Sequence, residues 1–177
     1  MVNFQVPSRG EVSANNQEIF DNLKKGLGMV PNLYAVMALS ETALGNYLAF
    51  QNAKSTFSNK EKQAVNLVVS QVNECHYCQS AHTLLGTMNG LTEEQTIEIR
   101  KGNASFDSKL NALVILAKEI TAKKGFASTE AMKNFINAGY TQGQVIELVF
   151  LVAEKAAMNY VQALTKVEID FPLAKEI

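Results

Sequence analysis

Three times along this chain a hydroxyl side chain is followed three residues later by Glu or Gln at the head of a segment with helical apolar spacing: Ser58-x-x-Glu61, Thr92-x-x-Gln95 and Thr141-x-x-Gln144. In such a pair the hydroxyl accepts the amide three residues on, and the longer side chain reaches back to the cap amide. Two of the unpaired N–H groups at a helix start are thereby satisfied locally. Three helix starts are marked directly in this way. Gly90, Gly102, Gly125 and Gly139 fall at or just past the expected helix ends, where a left-handed residue often closes the last turn. Alternating β-branched runs bounded by turn dipeptides are absent, which argues against a sheet. The pattern predicts helices over 14–26, 32–38, 41–56, 59–72, 75–89, 93–101, 108–123, 129–138 and 142–165. Prolines occur only at positions 7, 31 and 172, and no linker divides the chain. The expectation is an all-α, compact multi-helix fold in a single domain spanning 1–177.

Composition narrows the function classes. With 47 % hydrophobic residues, 19 % charged residues and a formal net charge of −1, nothing points to nucleic acid or an anionic membrane surface. The longest apolar candidate, 145–158, is interrupted by Glu147, Glu154 and Lys155, so no membrane span is expected. The opening Met-Val-Asn-Phe-Gln-Val-Pro lacks a basic stretch followed by an apolar one, so no secretory leader is expected and a cytoplasmic location is the reading. Segment 59–72 is apolar around much of its circumference, which predicts burial on more than one side. The last long segment, 142–165, has more apolar surface than a lone amphipathic helix needs, which predicts burial against the core or another subunit.

The chemistry is concentrated in one run. Cys75 and Cys78 are the only cysteines in 177 residues, and His82 follows one helical turn later, in Asn73-Glu-Cys-His-Tyr-Cys-Gln-Ser-Ala-His82. On a helix, positions three and four apart share a face, so Cys75, Cys78 and His82 form one stripe, while His76 falls off it and reads as exposed. A disulfide can close across that spacing without unwinding the turn. A lone Cys-x-x-Cys in a chain of this composition reads as redox or metal chemistry rather than as a structural staple. A free thiol is only about 3 % thiolate at pH 7, and a pKa of roughly 6.5 would need about 2.7 kcal/mol of selective anion stabilisation. The helix start, after the break at Gln71-Val-Asn-Glu74, favours a thiolate at Cys75, whereas His82 favours one at Cys78. Spacing alone leaves the attacking sulfur open.

Glu-Cys-His-Tyr-Cys-Gln-Ser-Ala-His resembles the Cys-x-x-Cys-x-x-x-His signature of the AhpD-like alkylhydroperoxidases, in the carboxymuconolactone decarboxylase superfamily. Leu27-Gly-Met-Val-Pro-Asn-Leu33 is similar to the family's Gly-x-x-Pro-Asn entry segment, and Phe57 to Ser70 resembles its lead-in helix. Asn159-Tyr-Val and Ile169-Asp-Phe-Pro172 resemble the ending of its peroxidase-related branch, so the similarity runs over nearly the full chain. The resemblance implies a helical AhpD-like fold with the motif at the start of a helix. It also implies that Cys78 is the peroxidatic thiol, Cys75 the resolving thiol and His82 part of a proton relay. Two positions depart from the pattern. The relay glutamate twelve residues before the first cysteine is Gln63 here, an amide that can orient a water but cannot shuttle a proton as a carboxylate does, and Glu61 points too far round the helix to replace it. AhpD has a histidine just before the second cysteine, where this chain has Tyr77. Weak or specialised peroxide turnover is the consequence.

The resemblance thus implies a thiol-dependent peroxidase that reduces a small organic hydroperoxide or hydrogen peroxide, needs no bound cofactor, and is regenerated by a lipoyl-bearing or thioredoxin-like dithiol protein. It also implies a homo-oligomer, a trimer or hexamer. Two other classes compete. A carboxymuconolactone decarboxylase-type lyase would act on a small acid, but that branch generally lacks the cysteine pair, and Arg9 and Arg100 are the only arginines available to bind one. A noncatalytic metal-binding or interaction protein would use Cys75, Cys78 and His82 as ligands, an awkward set for tetrahedral zinc when all three lie on one helix.

Overall fold

In the computed structural model residues 3–177 are described; Met1 and Val2, at the head of the segment read for a leader, lie outside them. The described residues form nine α-helices and a short 3-10 turn at Arg9–Glu11, with no strand among them. The helices are α1 Ala14–Leu27, α2 Asn32–Met37, α3 Ala43–Gln51, α4 Asn59–Val72, α5 His76–Met88, α6 Glu93–Lys101, α7 Ser108–Ala122, α8 Thr129–Asn137 and α9 Gln142–Thr165. All three expected capping boxes close. Ser58 and Glu61 exchange bonds at the head of α4, Thr92 and Gln95 at α6, and Thr141 and Gln144 at α9.

The one substantial difference from the sequence reading is α3, expected over 41–56 and observed over Ala43–Gln51. The Ser40 hydroxyl takes the Thr42 and Ala43 amides and holds the chain in a turn before the helix. At the far end, the Asn52 side chain donates to the Leu48 carbonyl at 2.9 Å. Thr56 then gives both its amide and its hydroxyl to the Glu147 carboxylate, so its N–H cannot enter a helical ladder.

The chain forms two compact units. One takes in the described residues up to Lys54 together with Tyr160–Asp170; the other is Ser55–Asn159 with Phe171–Ile177. In the first unit Val12, Phe20, Ala35, Ala38 and Leu44 form a buried cluster. Two segments that carry the family likeness separately in sequence meet here: the Asp170 carboxylate accepts the Asn32 amide at 2.7 Å at the start of α2, and the Asn32 side chain donates to the Glu168 carbonyl.

The second unit is organised around α4, which packs against α5, α6 and α7. Its residues 64–70 are all buried, as the apolar circumference predicted. Leu67, Val68, Ile99, Leu113, Leu116, Phe135 and Leu148 complete a core with no solvent contact, and the Phe135 ring stacks on Tyr140 at 4.2 Å between centroids. Within this unit α9 buries Leu148 and Val152 and leaves Ile146, Val149 and Phe150 exposed. No helix among the described residues is long and apolar enough to cross a membrane.

The joint between α4 and α5 sets the position of the cysteines. α4 ends in a Schellman motif, in which the Cys75 amide donates to the Ser70 carbonyl at 2.9 Å and the Glu74 amide to the Gln71 carbonyl at 3.2 Å. The left-handed residue this motif requires is Glu74, at φ 55°, a position that glycine would occupy without strain. Glu74 therefore makes the turn that delivers Cys75 to the head of α5.

Candidate active site

Cys75 is the N-cap of α5, and its Sγ accepts the Cys78 amide at 3.3 Å. The two cysteines are unbridged and buried, at 4 % and 3 % exposure. Their environments separate them. The bond between the two sulfurs, burial and the neighbouring charge of Cys78 push the Cys75 thiol far up. Cys78 is moved down from the ordinary thiol range, first by the hydrogen bond from Cys75, with the Lys155 charge and the Asn159 amide adding to it, against burial and Glu154. The two shifts run against the helix-start argument for Cys75. Its sulfur receives one amide N–H, but its proton is committed to Cys78, which collects the remaining positive and donor groups.

His82 lies one turn beyond Cys78 and is buried. Its Nδ1 is 2.8 Å from the Gln63 Oε1. A carbonyl oxygen only accepts, so Nδ1 carries the proton and Nε2 presents the lone pair. Burial, and after it the Lys155 charge, hold the imidazole well below its usual range, so the ring is neutral near pH 7. Position 63 therefore meets the histidine that the alignment of motifs pairs it with, and as an amide it orients the ring without charging it. Glu61 is committed elsewhere: one oxygen accepts the Ser58 amide at 2.8 Å and the other the Tyr140 hydroxyl at 2.7 Å.

The remaining motif residues hold the helix. Tyr77 is buried, and its ring meets Phe171 edge-on at 5.5 Å. His76 is exposed, as its register predicted. The Gln79 amide donates to the Ser70 carbonyl and accepts from Arg100 Nη2 at 3.1 Å. Arg100, itself buried, also donates to Gln71 at 2.9 Å and to the Lys175 carbonyl at 2.7 Å. The C-terminal segment is pinned to α5 a second time by the Ala174 amide on the Ser80 hydroxyl. Neither arginine is disposed to grip a small acid: Arg100 is spent on amides and carbonyls, and Arg9 forms an exposed pair with Asp21 at 2.7 Å. Among the described residues, no three His, Cys, Asp or Glu side chains are placed to share a metal ion.

Sequence reasoning missed the contribution of α9. Lys155 and Asn159 are buried, and both act on the sulfurs. The signal was present: Leu148, Val152, Lys155 and Asn159 follow one another at spacings of four, three and four, a single helical stripe whose first two members are core. Lys155 looked like an interruption of an apolar run, yet it sits on the inward face of that run.

Residues 40–119, from the approach to α3 into α7 and including the whole dithiol motif, match the model of the carboxymuconolactone decarboxylase family. No curated protein matches the sequence. Among solved structures, the fold is similar to an AhpD-core, peroxidase-related protein of Ralstonia eutropha JMP134, with a TM-score of 0.86 at 14 % identity over 95 % of this chain and 92 % of that one. It is similar to a peroxidase-related protein of Silicibacter sp. TM1040, with a TM-score of 0.81 at 19 % identity over 94 % and 90 %. It is also similar to a cysteine-to-alanine variant of the debrominase Bmp8 in complex with 2,3,4-tribromopyrrole, with a TM-score of 0.80 at 14 % identity over 96 % and 92 %. Motif, matched segment and helical architecture agree: residues 40–119 match the carboxymuconolactone decarboxylase family model, and the chain has the AhpD-like fold.

Proposed function

We propose that this protein is a dithiol-dependent peroxidase acting on small hydroperoxides. The observation that carries the reading is the buried dithiol at the head of α5, where the Cys75 sulfur takes the Cys78 amide at 3.3 Å and where Cys78 is moved down from the ordinary thiol range while Cys75 is pushed up. In the first step the Cys78 thiolate attacks the terminal peroxide oxygen. The O–O bond breaks, the alkoxide leaves and takes up a proton, and Cys78 becomes a sulfenic acid. In the second step the Cys75 sulfur attacks Cys78, the disulfide forms, and hydroxide leaves as water. In this reading His82 takes up the Cys75 proton on Nε2, since Gln63 holds the ring's own proton on Nδ1. Gln63 is half-buried and relays no proton itself, which matches slow or specialised turnover. Tyr77 positions the helix start through its contact with Phe171.

The cycle needs no resident cofactor. The disulfide is returned to the dithiol by a lipoyl-bearing or thioredoxin-like protein, in the cytoplasm, and the protein works as a homo-oligomer, a trimer or hexamer. The likeness to the debrominase favours a second reading of the same dithiol, a two-electron reduction of a small halogenated aromatic. The test is to reduce the protein, add a small excess of cumene hydroperoxide and follow free thiols and intact mass in the wild type, Cys75→Ser and Cys78→Ser. The expected result is rapid loss of both thiols in the wild type and a trapped sulfenic acid only in Cys75→Ser. Thiols inert to the peroxide but consumed by a bromopyrrole would transfer the protein to the second reading.

A further inference from the structure

We propose that Lys155 is the counter-charge of the Cys78 thiolate and that Asn159, one turn further along α9, is the donor that holds both sulfurs in place, so that His82 serves as a neutral base and not as the thiolate's cationic partner. The inference rests on Cys78 being the reactive sulfur, and it assigns a role to a helix outside the segment that matches the family.

The geometry begins with Asn159, which is 1 % exposed. Its Oδ1 accepts the Asn73 side-chain amide at 2.9 Å, and its Nδ2 donates to the Ser70 hydroxyl at 3.3 Å. These two bonds fix which end of the amide is which. The oxygen is taken by a donor from the α4–α5 joint, so the nitrogen, with one hydrogen on Ser70 and a second to give, is the end that addresses the sulfurs. The Ser70 carbonyl in turn takes the Cys75 amide, so the Asn159 amide is held beside the dithiol, where it favours the charged form of both sulfurs. Asn73 and Ser70 thus orient Asn159, and Asn159 ties α9 to the residues that immediately precede the dithiol.

Lys155 precedes Asn159 by four residues, on the same inward stripe, and is 2 % exposed. An ammonium that far from water is retained only where negative charge repays its desolvation. Glu154 is one such charge, with its carboxylate 3.7 Å from the Lys155 Nζ and equally buried. Cys78 also feels this ammonium, whose charge lowers it from the ordinary thiol range. The groups that bear on Cys78 are Cys75 from α5 and Lys155, Glu154 and Asn159 from α9; His82 lies one turn along α5 against Gln63 of α4, Ser70 of α4 is uncharged, and Arg100 of α6 is bound to Gln71, Gln79 and the Lys175 carbonyl. Lys155 is the one cation in this set that acts on the sulfur, and its effect exceeds that of Glu154. The same charge discourages protonation of His82. A site with a carboxylate at position 63 would favour an imidazolium beside the thiolate. Here an amide stands at 63, and the positive charge comes from α9.

The test uses the full-length protein in a Cys75→Ser background, where Cys78 is the one thiol and a hydroxyl donor remains at position 75. The rate of alkylation by iodoacetamide against pH reads the Cys78 ionisation without any peroxide. Lys155→Met is expected to raise the apparent pKa by at least one unit, a tenfold loss of thiolate at a fixed pH below it. Lys155→Arg is expected to restore most of that, and His82→Gln to move it by much less. Because Lys155→Met leaves Glu154 buried with a changed partner, the double variant Glu154→Gln/Lys155→Met is measured beside it and is expected to show the same direction of shift in a folded protein. An unshifted profile in both Lys155 variants, or a rise in His82→Gln as large as in Lys155→Met, overturns the proposal. A Cys78 with an ordinary thiol profile before any change at Lys155 instead overturns the peroxidase reading on which it rests.

Discussion

Acid destabilises this protein through His82, and the size of the effect follows from the site. The ring is buried beside Lys155, and both features hold it well below its usual range in the folded chain. In the unfolded chain it titrates near an ordinary value of about 6.5. Between those two values the unfolded state carries a proton that the folded state does not, so stability rises with pH and is lost as pH falls below about 6.5, at roughly 1.4 kcal/mol per unit. From pH 7 to pH 5 this amounts to about 2 kcal/mol, and for a chain of this length to a melting temperature lower by about 4–8 °C. Cys78, also depressed, contributes in the same direction as pH falls from the ordinary thiol range, so the isolating measurement is a difference. Urea unfolding at pH 7 and pH 5 in the wild type and in His82→Gln, which keeps a polar side chain opposite Gln63, gives the His82 share as the gap between the two losses. The wild type is expected to lose about 2 kcal/mol more than the variant. Equal losses would mean that His82 is as easily protonated folded as unfolded, and the argument for a neutral imidazole base would fail.

Gln63→Glu places a carboxylate at the Nδ1 of His82, now 2.8 Å from the amide oxygen, and is expected to raise the His82 pKa by about 1–3 units. The chain has two histidines, one exposed and one buried, so imidazole NMR titration separates them; an unmoved buried resonance refutes the contact. Arg100→Met removes three charge-assisted bonds and is expected to cost about 2–4 kcal/mol in chemical unfolding and to raise amide exchange at Ala174, which a full-strength C-terminal anchor would contradict. Glu74→Gly relieves a left-handed residue and is expected to stabilise by about 0.5–1 kcal/mol, less than the full relief because glycine gains freedom when unfolded. A destabilised Glu74→Gly protein would show that the glutamate side chain holds the turn by other means.

Much of the fold was legible because its signals are local. Ser58, Thr92 and Thr141 act on amides three residues away, and the glycines at 90, 102, 125 and 139 all take up the left-handed conformation expected of them. The α3 boundary was misjudged for the opposite reason. Ser40 and Asn52 act at its two ends, and Thr56 is held outside any helix by Glu147, 91 residues further along the chain, which no local pattern carries. Glu74 was legible only as part of the break before the motif, whereas its backbone conformation is what the Schellman turn demands.

The sequence by itself determined the helical class, the dithiol with its histidine on one stripe, and the correspondence of Gln63 to a relay position, because all of these depend on residue type and short spacing. Spacing left the two sulfurs open, and the family resemblance favoured Cys78. Tertiary structure adds which groups surround them, because a thiol's ionisation depends on which charges and donors reach it through a dry interior. Besides Cys75, those groups are Lys155 and Asn159, on a helix about 80 residues away along the chain. Helical periodicity could mark those two residues as inward-facing, but only the packing of the second unit shows that what they face is the dithiol.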